Sequence, residues 1–493
     1  MADARSDGAA GPGPGAPKDA STDNLVPELA DVGRLARRGL RWLLTLARGV
    51  PPSGLGVILA EHLGDGRDRL PIVEETWPAY DAVNVQVALD SWLGVPARDH
   101  QLAGLDPHMS LDLAQLLAPS TDSRTMHMHI PQQVNVARVN RPCGPEGQVL
   151  ACVQFGLYVI TEPGRRSALL VHAGGPQMGN PVVSVQIVST KAGYPTKIAA
   201  DLRRLALEHN VFRGQVLSFG GEVFGHGQAF LQFHRRPVMD SSALILEPQV
   251  IDQVRRQVVL IARHKEALLG AGQHLKRGLL LYGPPGVGKT HTVRYLMAAL
   301  TDTTVIELSG NALNMIGQAC SVARALQPSM IVVEDVDLIA EHRGMHPGHH
   351  PMLFQLLNEM DGLAENSDVI FVLTTNRADL LEPALAARPG RVDQAIELTL
   401  PDRAAREQLF RLYRGDLEVD ESRLGEVLAR TDGVTASFIK ELLRRAALIA
   451  AERVNGSSPL HVTDTDLIAA LDELLDTRNA MTRVLLGGTE SDS

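Results

Sequence analysis

The stretch 283–290 reads GPPGVGKT, and it decides the fold of the segment around it. Its glycines let successive backbone N–H groups turn inward, which is how a loop holds phosphate oxygens. An apolar run at 278–282 precedes the loop, and apolar residues recur at a spacing of three and four from 293 to 300. The order strand, phosphate-binding loop, helix is therefore predicted. The loop residues are Gly283, Pro284, Pro285, Gly286, Val287, Gly288, Lys289 and Thr290.

The polar side chains at the end of this loop have predicted roles in binding a nucleoside triphosphate. The helix N-terminus adds partial positive charge, and Lys289 neutralises the β- and γ-phosphates. The hydroxyl of Thr290 is a predicted Mg²⁺ ligand. His291 follows in the first turn of the helix and is included among the nucleotide-contacting residues. The sequence thus predicts binding of ATP together with Mg²⁺.

A second element, 331–337, reads IVVEDVD and is an apolar strand that ends in acids. Carboxylates at the carboxyl end of a buried strand hold Mg²⁺ and orient the attacking water in such sheets. We assign Glu334 to the metal and Asp335 to the water. The sequence leaves open which of the two acids activates the water.

The segment 245–400 alternates between apolar strands and amphipathic helices. This pattern is typical of a parallel sheet covered on both faces, so an α/β core is predicted there. Residues 401–480 have helical periodicity throughout and predict a small all-α lid. The predicted strands of the core are 279–282, 304–308, 330–333, 369–374 and 395–400, and the predicted lid helices are 403–414, 422–430, 436–454 and 464–475.

Three further motifs follow in order: LLNEMDG at 356–362, VLTTN at 372–376 and RPGRVD at 388–393. Together with the phosphate loop and the acidic strand, they resemble the motifs of the AAA family of ATPases over residues 245–480. The resemblance implies that Asn376 is the sensor-1 residue, which bridges the γ-phosphate and the water. It implies that Arg388 and Arg391 are arginine fingers that reach the ATP of a neighbouring subunit. A closed ring, usually a hexamer, follows from the same resemblance.

The sequence departs from the family pattern in three places. The order Glu334-Asp335 is the reverse of the usual Asp-Glu and resembles the mitochondrial Bcs-type branch. The segment 311–319 reads NALNMIGQA and has no aromatic where protein-threading relatives carry one, so Met315 and Ile316 either grip a chain weakly or are packed. No sensor-2 arginine is evident in the lid, and we expect Arg444 and Arg445 at its surface.

The first half of the chain predicts an α+β domain over 24–240, helical at 24–115 and β-rich at 135–240, between a disordered tail, 1–23, and the ATPase segment. A second flexible tail is predicted at 481–493. A helix with a row of arginines at 34, 37, 38 and 41 either packs on its own domain or forms a surface for a partner or an anionic membrane. We expect this domain to select an unknown protein substrate or adaptor. The predicted strands are 149–161, 168–172, 182–190, 215–219 and 229–233, with a helix at 196–209.

The composition excludes several classes of protein. The 493 residues carry a net charge of −10, which disfavours a dedicated nucleic-acid binder. Three cysteines without metal-ligand spacing predict neither disulfides nor a zinc site, and no apolar run predicts a signal peptide or a membrane span. A cytoplasmic protein is expected, and the excess of arginine over lysine suggests a bacterial one. Scattered histidines (His127 with His129, and four between 342 and 350) are not assigned to a metal.

Three functions follow from these observations. The first is ATP hydrolysis by an AAA ring that remodels a protein substrate or complex. The second is a nucleotide-switched assembly scaffold that does not thread polypeptide. The third, a DNA-acting motor, is disfavoured by the acidic balance of charge.

Overall fold

A computed structural model describes residues 54–105, 111–118, 135–173, 182–221, 229–337, 351–379, 392–453 and 460–476. Several sequence predictions concern residues outside these ranges. They are the two tails, the arginine-rich helix at 34–41, the histidines at 127, 129 and 342–350, and the arginines Arg388 and Arg391.

The N-terminal half forms an antiparallel sheet with helices on both faces. Its strands run in the order β1-β6-β5-β4-β2, and β3 pairs with the outer part of β4. The strands are β1 (Val73–Pro78), β2 (Asp99–Gly104), β3 (Ala137–Pro142), β4 (Val149–Glu162), β5 (Arg165–Ala173) and β6 (Val182–Ser189), and the helices are α1 (Gly54–Leu63), α2 (Ala82–Leu93), α3 (Leu113–Leu117) and α4 (Tyr194–Glu208).

Alternating side chains of this sheet point to opposite faces and pack into two separate apolar cores. On one face, Leu89 of α2 and Leu202 of α4 pack against strand residues such as Val185. On the other face, Leu59 of α1 and Leu116 of α3 pack against Leu157 and its neighbours. Each strand of the centre is therefore apolar on both sides, which explains why β4, β5 and β6 are recognisable in the sequence.

The prediction that 24–115 is helical is wrong for two segments, because β1 and β2 lie within it. Both are edge strands of the sheet. Strand β1 reads VEETWP and buries only Trp77 completely, while β2 begins with three exposed polar residues. Edge strands with polar side chains lack the apolar alternation that identifies a strand in sequence.

The second sheet has seven strands in the order β13-β9-β12-β11-β10-β7-β8. All its ladders are parallel except that between β7 and β8. The strands are β7 (Val216–Gly221), β8 (Ala229–His234), β9 (Arg277–Tyr282), β10 (Thr304–Leu308), β11 (Ser329–Val333), β12 (Val369–Thr375) and β13 (Gln394–Glu397).

Helices cover both faces of this sheet. One apolar core lies under α8 and contains Leu296 and Val332. The opposite core lies under α9 and α10 and contains Cys320 and Leu356. The helices are α5 (Pro248–Val254), which continues through a π-helical segment (Arg255–Leu260) into α6 (Ile261–Arg263), then α7 (Lys265–Gly270), α8 (Lys289–Ala299), α9 (Ile316–Ala325) and α10 (Pro351–Asp361). The predicted α/β core with a parallel sheet is confirmed.

Strands β7 and β8 differ from the predicted domain organisation, which assigns them to the N-terminal domain. They instead extend the second sheet, since Val216 and Leu217 pair with Val305 and Ile306 of β10. The apolar pattern of a strand shows that it is buried, but it does not show which sheet it joins. The predicted boundary near 240 therefore separates two strands from the sheet to which they belong.

The lid consists of four helices around one apolar core that includes Phe410, Phe438 and Leu471. A two-stranded parallel pair, absent from the prediction, joins two of its loops. The elements are α11 (Arg403–Arg414), β14 (Glu418–Val419), α12 (Leu424–Arg430), α13 (Ala436–Arg453), β15 (His461–Val462) and α14 (Asp464–Leu475). In the part of the chain that the structure describes, no helix combines the length and the apolar character needed to cross a membrane.

Candidate active site

The phosphate loop links the buried strand β9 to helix α8, as the sequence predicts. Gly283 has a φ of 145°, and a Cβ at this position would lie 2.1 Å from the carbonyl oxygen of Leu398. Gly286 and Gly288 also have positive φ values, 79° and 111°. Only glycine adopts such a series without strain, so the loop conformation depends directly on this spacing.

Lys289 is the centre of the site. It is only 7% exposed, and its Nζ donates to the carbonyl oxygens of Gly283 and Pro284 and to Oδ1 of Asn376, each at 2.8 Å. Burial lowers the pKa of Lys289, against the opposing charges of Asp335 and Asp337. The ammonium group thereby ties the loop after β9 to the carboxyl end of β12.

Asn376 also contacts the acidic segment after β11. Its Nδ2 donates to Oδ1 of Asp335 at 3.4 Å, and both residues are exposed at the carboxyl edge of the sheet. Asp337 is buried behind them, where Oδ1 accepts from the Thr375 hydroxyl at 2.8 Å and from the backbone N–H of Asn376 at 3.4 Å. The buried acid therefore orients the strand end that carries Asn376.

The two acids face different neighbours. The half-buried Glu334 donates its backbone N–H to the carbonyl oxygen of Leu308 of β10. Its charge also acts on Glu307 of β10. The pKa of Glu307 is raised by burial and by the charge of Glu334, while the charge of Arg294 lowers it. Asp335 instead lies beside Asn376.

The structure offers oxygen donors that suit Mg²⁺. The hydroxyl of Thr290 is exposed in the first turn of α8, and Glu334 directly follows β11, where its charge acts on Glu307 of β10. The pKa of Glu307 is raised mainly by burial and also by the negative charge of Glu334, which a divalent cation would offset. Thr290 and Glu334 would therefore hold Mg²⁺, which when bound offsets the charge of the phosphates.

His291 contacts the linker that leads from β8 into the core. Its Nε2 donates to the carbonyl oxygen of Ala243 at 3.0 Å, so its ring is engaged with this linker beside the loop. Arg236, in the same linker, donates to the carbonyl oxygens of Met297 and Leu300 at the far end of α8. The linker is thus attached to both ends of the helix that follows the phosphate loop.

A cavity of about 270 Å³ opens beside Val287 of the loop. Its walls come from the linker, from the segment after β13 and from the lid, and they are mainly apolar. The lid also reaches the loop directly, since the backbone N–H of Ser437 donates to the carbonyl oxygen of Gly286 at 3.4 Å. The lining includes Ile245, Pro248, Leu398, Leu400, Leu409 and Ala436. A flat apolar group attached to phosphates in the loop would fit this position.

Two predicted elements of the site have different outcomes. Arg444 and Arg445 both pair with Glu441 of α13, at 2.7 and 2.9 Å; Arg444 is exposed as expected, whereas Arg445 is half-buried. Ile316 is only 1% exposed and lies in the core under α9, and Met315 packs against the same core. Of the two interpretations of this segment, packing is the one that the structure supports, because the chain forms a 3-10 turn (Gly310–Met315) in place of a projecting loop.

Thr374 shapes the site but has no role in the sequence prediction. Its buried hydroxyl accepts the backbone N–H of Asp335 at 3.1 Å. The signal in the sequence is the pair of threonines before Asn376, but their partners lie in the segment that follows β11. Asp393 was likewise unassigned, and its carboxylate accepts the backbone N–H of Gly278 at 2.7 Å.

These features define a P-loop nucleotide-binding domain. They are a glycine loop between a buried strand and a helix, an enclosed lysine, and acids with an asparagine at the carboxyl edge of a parallel sheet. Residues 279–400 match the family model described as "ATPase family associated with various cellular activities (AAA)". This part of the chain is an AAA-family ATPase domain, as the motifs predict, and ATP with Mg²⁺ is the nucleotide and metal of that family.

Proteins with similar sequences match just under half of the chain. The chain is 31% identical over 241 residues to the ATP-dependent zinc metalloprotease FtsH 3 of Sphaerobacter thermophilus, which is 46% of this chain and 48% of that protein. It is 33% identical over 234 residues to the 26S protease regulatory subunit 6A of Caenorhabditis elegans, 44% of this chain and 54% of the relative. The chain thus spans about half the length of the curated relatives it matches.

Proposed function

We propose that the chain hydrolyses ATP at this site and, assembled as a ring, uses the cycle to remodel a protein or a protein complex. The observation that carries the ATPase part is the hydrogen-bonded cluster of Lys289, Asn376 and Asp335 at the end of the phosphate loop. The reaction requires three groups: a cation that binds the phosphates, an amide that orients the attacking water, and a carboxylate that accepts its proton.

In the proposed reaction the oxygen of water bonds to the γ-phosphorus, and the bond to the β,γ-bridging oxygen breaks. ADP leaves with that electron pair, and the carboxylate of Asp335 accepts the proton that the water loses. Lys289 offsets the phosphate charge, and the amide of Asn376 orients the water. The cavity beside Val287 takes the base of the nucleotide.

The ring is proposed from the two arginines, Arg388 and Arg391, which lie outside the described residues. Asp393 supports this proposal, because two hydrogen bonds with Gly278 anchor the chain directly after Arg391 to the central strand β9. The position of the chain two residues after Arg391 is therefore fixed relative to the sheet. We propose that they complete the site of a neighbouring subunit in a hexamer.

Coupling to the N-terminal domain is supported by its connection to the core. Strand β7 pairs with β10, and the linker is attached to both ends of α8 by Arg236 and Ala243. The name of the Sphaerobacter relative describes an ATP-dependent zinc metalloprotease, and that of the Caenorhabditis relative a regulatory subunit of the 26S protease. No His-Glu dipeptide, the start of the H-E-x-x-H zinc motif, occurs in the 493 residues, so the ATPase activity alone is proposed for this chain. A cytoplasmic location and an unidentified protein substrate or adaptor complete the proposal.

The test combines assembly with turnover. The parent chain is expected to form a ring in ATP, measured by mass photometry, and to release phosphate. An Arg388→Ala variant should bind ATP with the affinity of the parent while phosphate release falls by about 10³-fold or more. Arg403→Ala is the matched control, because Arg403 is an exposed arginine at the start of lid helix α11. Full turnover by Arg388→Ala would contradict completion of the site by a neighbour.

A nucleotide-switched scaffold is the second candidate, and the packing of Ile316 favours it. A side chain buried in the core under α9 cannot grip a polypeptide in a central pore. ATP-dependent unfolding of a tagged substrate separates the two functions. Unfolding at a rate that follows ATP turnover supports remodelling, whereas ATP-dependent partner recruitment without unfolding supports the scaffold.

A further inference from the structure

The backbone of Asp335 adopts an unusual conformation. Its φ of 51° makes it the one non-glycine residue with positive φ among those that the structure describes. Left-handed backbone is unfavourable for residues with a side chain, and it persists where surrounding contacts impose it. We therefore expect a neighbouring residue to hold the backbone of Asp335 in this conformation.

Thr374 on β12 provides that contact. The parallel ladder between β11 and β12 pairs residues up to Val333 and Leu373. Beyond the ladder, the hydroxyl oxygen of Thr374 accepts the N–H of Asp335 at 3.1 Å, and its carbonyl oxygen accepts the N–H of Val336 at 2.9 Å. Thr374 is only 2% exposed, so water does not compete for these groups.

The turn at 335 decides where the acid points. Aspartate is one methylene shorter than glutamate, and the left-handed turn brings its Oδ1 within 3.4 Å of Nδ2 of Asn376. We propose that Thr374 is a positioning residue whose hydroxyl holds Asp335 in this conformation, so that the carboxylate can accept the proton of the attacking water. The inference rests on the proposed ATPase function.

Substitutions of Thr374 can separate the contribution of its hydroxyl from that of its side-chain shape. Valine has nearly the shape of threonine but leaves the N–H of Asp335 without its buried acceptor. Serine keeps the hydroxyl and loses only a methyl group. We expect ATP to bind through Lys289 and the loop, and the hydrogen bond between Thr374 and Asp335 involves neither of them.

A control residue of the same type lies at the opposite edge of the sheet, where the strands begin. Thr304 on β10 is completely buried, accepts the N–H of Gly214 at 3.0 Å and donates to the carbonyl oxygen of Leu326. Thr304→Val removes a comparable buried hydroxyl without touching the site. It therefore measures what the loss of such a group does to the fold alone.

The experiment measures kcat, KM, ATP affinity and Tm in the full chain. Thr374→Val is expected to lose at least about tenfold in kcat with KM and ATP affinity near those of the parent. Thr374→Ser should stay within about threefold of the parent kcat, and Thr304→Val should lower Tm while keeping kcat. Thr374→Ala, which cannot overpack, serves as a second removal variant.

Each outcome bears on the proposal. Parent-like kcat in Thr374→Val and Thr374→Ala, with an active parent, overturns the role of Thr374 and leaves the ATPase function standing. An equal loss of kcat in Thr304→Val also overturns it, because the effect would then be one of stability. A parent chain that binds ATP but never turns it over overturns the proposed function, and the positioning role with it.

Discussion

Lys289 makes the three hydrogen bonds that join the phosphate loop to the neighbouring strand. The loop carbonyls and Asn376 occupy the donors of its ammonium group. A bound γ-phosphate would compete for the same donors with a full negative charge, and hydrogen bonds between ionised groups are about twice as strong as neutral ones. A substitution of Lys289 is therefore a direct test of phosphate binding by the loop.

Lys289→Met keeps the apolar stem and removes the charge. We expect ATP affinity to fall by about 100-fold or more, since both the charge and the hydrogen bonds are lost. Titration of a fluorescent ATP analogue measures this change. Lys440→Met, which removes an exposed lysine near Tyr413 on the lid, is the control. Unchanged affinity in Lys289→Met would exclude the loop as the nucleotide site.

The residues of the site differ in how far the sequence predicts them. Lys289, Asn376 and Asp335 were predicted because each belongs to a local motif whose spacing carries chemical meaning. Thr374 and Arg236 were not, because their partners lie 39 residues away in the first case and 61 in the second. A hydrogen bond between distant segments leaves no local pattern in a single sequence.

At the scale of elements, the segment between β10 and α9 shows how packing replaces a motif. Its 3-10 turn directs Ile316 into the core, where it is 1% exposed. Sequence alone left packing and a pore grip equally open, because Met and Ile suit both. The core beneath α9 decides between them.

Ile316→Ala is therefore expected to act on stability. Deleting a buried isoleucine side chain costs about 2–4 kcal/mol of unfolding free energy, measured by chemical denaturation. Gln318→Ala, at an exposed position two residues on, should change it by less than about 0.5 kcal/mol. An Ile316→Ala chain as stable as the parent would show that this side chain is free.

The linker from β8 to α5 is a second element with a testable contribution. Arg236 donates to four carbonyl oxygens, those of Met297, Leu300, Gly214 and Thr303. Arg236→Met should lower the free energy of unfolding by roughly 2–4 kcal/mol, because the buried carbonyls lose charged donors. The adjacent exposed Arg235 provides the control Arg235→Met. Equal stability of the two variants would show that the linker is not held to α8.

The N-terminal sheet contains a buried acid that makes its stability depend on pH. Burial raises the pKa of Glu162, but hydrogen bonds from Arg165, Tyr194 and Arg98 outweigh it and lower the pKa to about 2. A depressed pKa in the folded state means that the contribution is full above the ordinary value of 4.5 and is lost as pH falls towards about 2.

Glu162→Gln should therefore destabilise the N-terminal domain by roughly 2–3 kcal/mol near neutral pH. The difference from the parent should shrink as pH falls through that window, which thermal unfolding followed at several pH values would show. Glu146→Gln, an exposed position in the β3–β4 turn, is the control. A difference that stays constant with pH would contradict the ion-pair account.

At the scale of the whole molecule, the sequence predicted the nucleotide-binding sheet and the lid almost element by element. The prediction was wrong where the assignment of a strand to a domain depends on which strands pair with each other. Strands β7 and β8 read as part of the N-terminal domain, yet they lie in the core sheet beside β10. The core under α9 also includes Val83 and Cys152 of the N-terminal domain, so the two domains share apolar packing as well as main-chain pairing.

This shared sheet gives the N-terminal domain a physical connection to the site. Strand β10 lies between β7 and the acidic strand β11. A change at the phosphate loop can therefore reach the N-terminal domain through adjacent strands and through the linker on α8. The proposed coupling of ATP turnover to a protein partner depends on this connection.

The most direct test of the account is phosphate release by Asp335→Asn, with ATP binding measured in parallel. The account predicts that the parent turns over ATP and that Asp335→Asn binds ATP at least as tightly. It also predicts that phosphate release by the variant falls by about 10²-fold or more, because the group that accepts the proton is gone. Asp302→Asn, an exposed position after α8, should behave as the parent. Turnover by Asp335→Asn at the rate of the parent would contradict the central claim that this site hydrolyses ATP through Asp335.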